Sequence, residues 1–255
     1  MSDVELRDDL DKIFQWSLDW QMLFNVDKCT VVHMGQNNKE YEYKLGSNVL
    51  VKSVKERDLG VVITSDGKFS EQCISSASKA SQVLGMIKRN IQYKSKDNIV
   101  RLYKALVRPK LEYCVQAWSP YYRKDIDRLE GIQRRATKMI EGFKDLTYEE
   151  RLKRTGLISL EQRRVRGDLI QVFKILKGID RVDHRDYFEI IGAGSKTRGH
   201  NVRLVKKRSR LDLRKYFFSQ RVVNSWNLLP QDVVDADSVN SFKNRLDRFG
   251  RYFCK

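Results

Sequence analysis

At Ser70 the spacing of apolar residues changes from that of short strands to that of helices, and this switch bounds the fold more tightly than any other feature. Before it come CTVVHM (29–34), YEYKL (41–45), VLVKSV (49–54) and LGVVI (59–63), all rich in β-branched or aromatic residues. Gly35-Gln36-Asn37-Asn38, Gly46-Ser47-Asn48 and Ser65-Asp66-Gly67 separate them, the punctuation of an antiparallel meander. One helix precedes the strands: Ser2 or Asp3 caps it, and Leu6, Leu10, Ile13 and Phe14 share a face.

After Ser70, a helical stripe comprises Ile74, Ala77, Leu84, Ile87 and Ile91. A second helix opens near Asp97, with Ile99, Val100, Tyr103, Leu106 and Val107 inward and Pro109 kinking or dividing it. Trp118-Ser119-Pro120 ends that unit. A third helix, Asp125 to Glu141, turns Ile126, Leu129, Ile132, Ala136, Met139 and Ile140 inward. Thr147 with Glu150 forms a capping box for the next. Ser159 opens another, with Val165, Leu169, Val172, Phe173 and Leu176 in the core and Gly178 as its stop. Residues 179–200 read as a mobile connection, and a last short helix spans 238–249 behind Ser238. The predicted class is α+β: a small antiparallel meander over 1–69, a helical region over 70–178, and a basic, aromatic region over 179–255.

Charge bears on partners. Net charge is +17, from 50 Lys+Arg against 33 Asp+Glu. Residues 1–150 contribute +3 and residues 151–255 contribute +14, which places a polyanion-binding surface in the second half. The 4 cysteines (Cys29, Cys73, Cys114 and Cys254) have no paired zinc spacing and read as buried thiols of a reducing compartment. No apolar run approaches the ~20 residues of a membrane helix, and the N-terminus is acidic rather than leader-like. The expected location is intracellular, in nucleus or cytoplasm. Neither a Gly-x-Ser-x-Gly elbow nor a P-loop is present; Gly192, Gly194, Lys196 and Thr197 lack the required spacing.

Three stretches in order carry a resemblance. FNVDKCTVVHMG (24–35) resembles the fourth palm motif of reverse transcriptases from non-LTR retrotransposons of the jockey and CR1-like group, an Asn-x-x-Lys turn feeding a strand. RDLGVVITSDGKF (57–69) resembles the fifth, a primer-grip hairpin, and LVRPKLEYCVQAWSP with IQRRATKMI resembles the thumb and the segment C-terminal to it. The resemblance implies an RNA-directed DNA polymerase origin. It assigns Lys28 to the incoming nucleotide's phosphates, and Leu59, Gly60 and Val61 to the primer-grip strand.

The family's chemistry uses Mg²⁺ held by palm carboxylates, including a Tyr/Phe-x-Asp-Asp loop. That loop is missing here, and the one Asp-Asp pair, Asp8-Asp9, lies in an amphipathic helix. The expectation is a truncated fragment lacking fingers and most of the palm, with no catalytic residue, metal site or cofactor of its own. Lys28 then reads as a solvated turn lysine.

Four basic groups are candidates for nucleic-acid backbone contact: Lys88 and Arg89, with Lys94 and Lys96; Arg134, Arg135 and Lys138; Arg163, Arg164 and Arg166 at a helix N-terminus; and Arg203, Lys206, Lys207, Arg208, Arg210, Arg214 and Lys215. The last group sits in Lys196–Arg221, where Tyr216, Phe217 and Phe218 offer either base stacking or core. Lys206-Lys207-Arg208 also matches a nuclear-import cluster. Expected partners are RNA, DNA or their hybrid, and the missing fingers-palm part, with no membrane. Two other readings stay open: a piece that completes a polymerase in trans, and a non-catalytic protein-interaction scaffold.

Overall fold

The computed structural model describes residues 3–35, 37–191 and 199–250. Ser2, Gln36, Gly192, Gly194, Lys196, Thr197 and Cys254 lie outside them. The fold is α+β. The chain divides into two compact units, Met1–Gln72 and Cys73–Lys255, so residues 179–250 share a unit with the helices before them.

The first unit opens with α1 (Asp3–Asp19), whose early Asp3 and Glu5 complement the helix dipole. Six short strands come next: β1 (Thr30–Val31), β2 (Lys44–Leu45), β3 (Asn48–Val49), β4 (Val51–Lys52), β5 (Lys55–Asp58) and β6 (Val61–Thr64). They form three two-stranded sheets. β2 and β3 pair antiparallel across Gly46-Ser47. A Cβ on Gly46 would lie 2.4 Å from the Phe14 ring, and its φ of +61° is strained for any other residue, so only glycine fits.

The expected meander is corrected at one point. β1 pairs with β4 in parallel, Thr30 opposite Val51. The β2–β3 hairpin intervenes between them and returns the chain in its original direction. β5 and β6 pair antiparallel. Leu59 (φ +44°) and Gly60 (φ +85°) are their two-residue turn rather than strand. Of the three expected strand residues only Val61 belongs to one, and Leu59 is 85% exposed at the tip.

α2 (Ser70–Asn90) begins in the last residues of the first unit and continues into the second, where it buries Cys73, Ala77, Ala80, Leu84 and Ile87. Ala77, Leu84 and Ile87 are buried as expected, but at the start of the stripe Cys73 takes the buried place and Ile74 is exposed. Burial pushes the Cys73 thiol up to about 12. α3 (Lys96–Leu102) is capped by Ser95 and passes into a π-helical turn, Tyr103–Val107, then α4 (Arg108–Glu112) with Pro109 in its first turn. Ile99, Tyr103, Val107 and Leu111 are buried at a constant spacing of four. An unbroken α-helix would drift off its face over that distance, and the wide turn resets the phase. Leu106, expected inward, is rotated to solvent.

α5 (Val115–Trp118) starts after Cys114, which is left-handed at φ +54°. Beyond it lie α6 (Arg123–Lys138), α7 (Tyr148–Thr155) and α8 (Leu160–Leu176), the last two with the expected Thr147–Glu150 box and a second box from Ser159 and Gln162. A buried polar network ties these helices together. The Tyr103 hydroxyl donates to Gln133 (2.7 Å), Gln133 Nε2 donates to the Ile158 carbonyl (3.0 Å), and Glu130 accepts from the Leu160 amide (2.9 Å) and from Tyr148. Each member is satisfied, so the network fixes the helix arrangement without leaving a buried group unpaired.

The remaining helices are α9 (Asp212–Lys215), α10 (Phe218–Asn227), α11 (Gln231–Val234) and α12 (Val239–Phe249). Leu169, Val172 and Phe173 of α8, Val222 and Trp226 of α10, and Phe242 and Leu246 of α12 form one core, each large side chain worth roughly 1.5–3 kcal/mol buried. Val165, expected in that core, is exposed. Residues 184–191, read as part of a mobile connection, send Phe188 into the core and pair Ile190 with Leu204. His200 is buried beside Trp226. Its Nε2 donates to the Trp226 carbonyl (3.0 Å) and its Nδ1 accepts from the Val202 amide (3.3 Å), an arrangement that holds the ring neutral.

Candidate nucleic-acid interface

Two of the four basic groups come together. α2 ends at Asn90 with Lys88 and Arg89 in its last turn, and α6 ends at Lys138 with Arg135 and Lys138 in its last turn. Arg135 Nη2 donates to the Ser81 hydroxyl of α2 (3.2 Å). The Glu141 amide, just past α6, donates to the Lys94 carbonyl just past α2 (3.0 Å). These bonds set the C-terminal ends of both helices side by side. Lys88, Arg89, Arg134, Arg135 and Lys138 are exposed there, and none is in an ion pair among the described residues. Arg134 lies over the Tyr148 ring, 5.1 Å from its centroid. Cations at helix C-termini complement the dipole at a few tenths of a kcal/mol each. That placement leaves their outer faces open to phosphate.

The third group faces inward instead. Arg163 donates through both Nε and Nη2 to Glu112, and that pairing holds its pKa above the usual guanidinium value. Arg166 grips Asp247 of α12 at 2.5 and 2.9 Å. Arg164 is 4% exposed, its Nη1 and Nη2 are buried without a hydrogen-bond partner, and burial lowers its pKa. Arg163 and Arg166 are engaged with carboxylates and Arg164 is buried, so the three expected phosphate contacts do not match this placement.

The fourth group is divided. Lys206 donates to the Gln220 carbonyl, and burial, then Lys215, lowers its pKa. Lys207 pairs with Glu189 at 3.2 Å. Arg214 and Lys215 lie over the rings of Phe217 and Tyr216. Arg208 and Arg210 are exposed without an ion pair among the described residues, and Arg203 is half-buried. Of the interleaved aromatics, Phe218 is core, Tyr216 stacks on Tyr121 at 4.4 Å, and Phe217 is exposed beneath Arg214. Arg221, at the end of this stretch, forms a two-pronged pair with buried Asp168, both contacts at 2.9 Å, and also donates to the Val115 and Gln116 carbonyls. The pair borders a cavity of about 290 Å³. Burial raises the Asp168 pKa while Arg221 opposes it.

In the first unit, Lys28 closes a 3-10 turn, Val26–Lys28, that feeds β1. It is exposed and has no ion pair among the described residues. Asp8 and Asp9 share Lys12, at 2.5 and 3.7 Å. Among the described residues no three His, Cys, Asp or Glu side chains cluster as metal ligands. Among the described residues no helix is long and apolar enough to cross a membrane.

Sequence reading missed Asp168–Arg221 and His200, because their partners are distant in the chain. Comparison with family models, with curated proteins and with solved structures finds no match.

Proposed function

We propose that this chain grips the sugar-phosphate backbone of RNA, DNA or their hybrid, as the palm-end and thumb-like portion of a non-LTR retrotransposon reverse transcriptase, without polymerase chemistry of its own. The observation carrying this reading is the open cationic surface made by the ends of α2 and α6. Backbone contacts of this kind position a nucleic acid and carry little sequence information. The family origin rests on the three motif stretches, and it places the protein in the nucleus or cytoplasm.

Fluorescence anisotropy with an unrelated-sequence duplex and a hybrid tests the reading. If about 6 phosphates are neutralised, affinity falls by roughly three orders of magnitude between 50 and 200 mM salt. A flat salt response, or no binding at low salt, rejects it.

A second reading, completion of a polymerase in trans, is favoured by one observation. The first unit exposes Trp16, Trp20, Met22, Leu23, Val51 and Leu59. Mixing the chain with a fingers-palm polypeptide and assaying primer extension separates the two.

A further inference from the structure

The loop between α2 and α3 carries Tyr93, whose side chain stands 80% exposed while the backbone beneath it is fastened on two sides. Asn98 Nδ2 of α3 donates to the Tyr93 carbonyl (3.3 Å), Ser95 caps α3 through the Asn98 amide (3.3 Å), and the Glu141 amide holds the Lys94 carbonyl (3.0 Å). The ring is therefore presented by a preorganised loop. Its neighbours are cations: Lys88, Arg89 and Lys94 along the chain, Lys96 at the start of α3, and Lys138 at the adjoining end of α6. Asp97, close in sequence, and Glu141, brought in by its amide bond to Lys94, are acids near the loop.

An aromatic ring standing free within an open cationic surface has the make-up of a single-strand platform. Lysines and arginines follow the phosphates, and a base freed from its pairing partner lies flat on the ring. In a duplex the base faces are already stacked, so the ring would gain nothing from it. We propose that Tyr93 is a base-stacking residue and that the α2–α6 surface prefers single-stranded RNA or DNA to duplex. This rests on the backbone-binding reading above and names the form of nucleic acid it takes.

The test uses the full chain, a 12-nucleotide single strand and a duplex of the same sequence, in low salt. Tyr93→Ala is expected to weaken single-strand binding about tenfold and to leave duplex binding within about twofold, from the loss of one base–ring stack. Tyr93→Phe keeps the ring and is expected to bind as the parent does, which separates stacking from any role of the hydroxyl. Equal loss for strand and duplex, or no loss with Tyr93→Ala, overturns the stacking role while parent binding to both leaves the backbone reading in place. Parent protein that binds neither oligonucleotide overturns both.

Discussion

Two helices of the second unit carry the same tripeptide. In α6 it is Gln133-Arg134-Arg135, and in α8 it is Gln162-Arg163-Arg164. In α6 the glutamine is buried in a hydrogen-bonded network and both arginines face solvent. In α8 the glutamine closes a capping box at the surface, and the arginines turn toward Glu112 and the interior. Arginine count does not locate a polyanion site; the supply of nearby carboxylates does. A guanidinium that meets a carboxylate in two-pronged geometry, as Arg163 does, is already spent; one that is buried, as Arg164 is, is out of reach; one that is exposed and unpaired is open to phosphate.

The comparison breaks most severely at the interior pairs. Arg221→Ala leaves the Asp168 carboxylate buried and unpaired, and is expected to cost about 3–5 kcal/mol in urea unfolding. Arg221→Lys is expected to recover only part, since one ammonium cannot reproduce the fork.

On the open side, a Lys88→Ala/Arg89→Ala/Lys138→Ala variant is expected to bind duplex at least tenfold more weakly. It should also lower the salt slope by about 3 if each cation meets one phosphate. Its unfolding free energy should stay within about 1 kcal/mol of the parent. Comparable destabilisation in both variants would erase the distinction.

His200 sharpens the contrast through pH. Burial lowers its pKa below the ordinary 6.5, so the unfolded chain takes up the proton first. Its contribution is complete above about 6.5 and is lost as pH falls, at a slope of at most about 1.4 kcal/mol per pH unit. Replacing it, as in His200→Gln, should remove that component from the stability profile between pH 7 and 5.

The smallest effect is expected at Arg166. Asp247 is half exposed, so solvent screens the pair. Arg166→Ala should cost about 1 kcal/mol or less, and less again at high salt.

Much of the helical half was legible because its signals are local. The Thr147 capping box, the Ser159 helix start, the Gly178 stop and the Ser238 cap each depend on residues within a turn or two. The β half was less legible. Strands as short as Thr30–Val31 carry almost no periodicity, and the parallel β1–β4 pairing is set by a hairpin's geometry rather than by either strand's sequence. Within the α2 stripe, Cys73 displaced Ile74 because burial tracks angular position more closely than hydrophobicity. For the candidate interface, the exposed cations of α2 and α6 could be read from their faces. The withdrawal of Arg163, Arg164 and Arg166 could not, because Glu112 and Asp247 lie far away in the chain. Tyr93 escaped notice because a lone tyrosine between helices has no pattern.

The π-helical turn at Tyr103–Val107 and the proline two residues beyond it form a matched couple. Arg108 bonds back five residues, to Tyr103, and the widened ring makes room for a pyrrolidine that an ordinary turn would reject. Shortening this stretch by one residue would restore regular winding and drive Pro109 against a carbonyl. Replacing the proline alone would leave the bulge in place, because the phase of the buried residues still requires it. A one-residue deletion here would therefore strike twice, at the room made for Pro109 and at the phase that keeps Ile99, Tyr103, Val107 and Leu111 on one buried face.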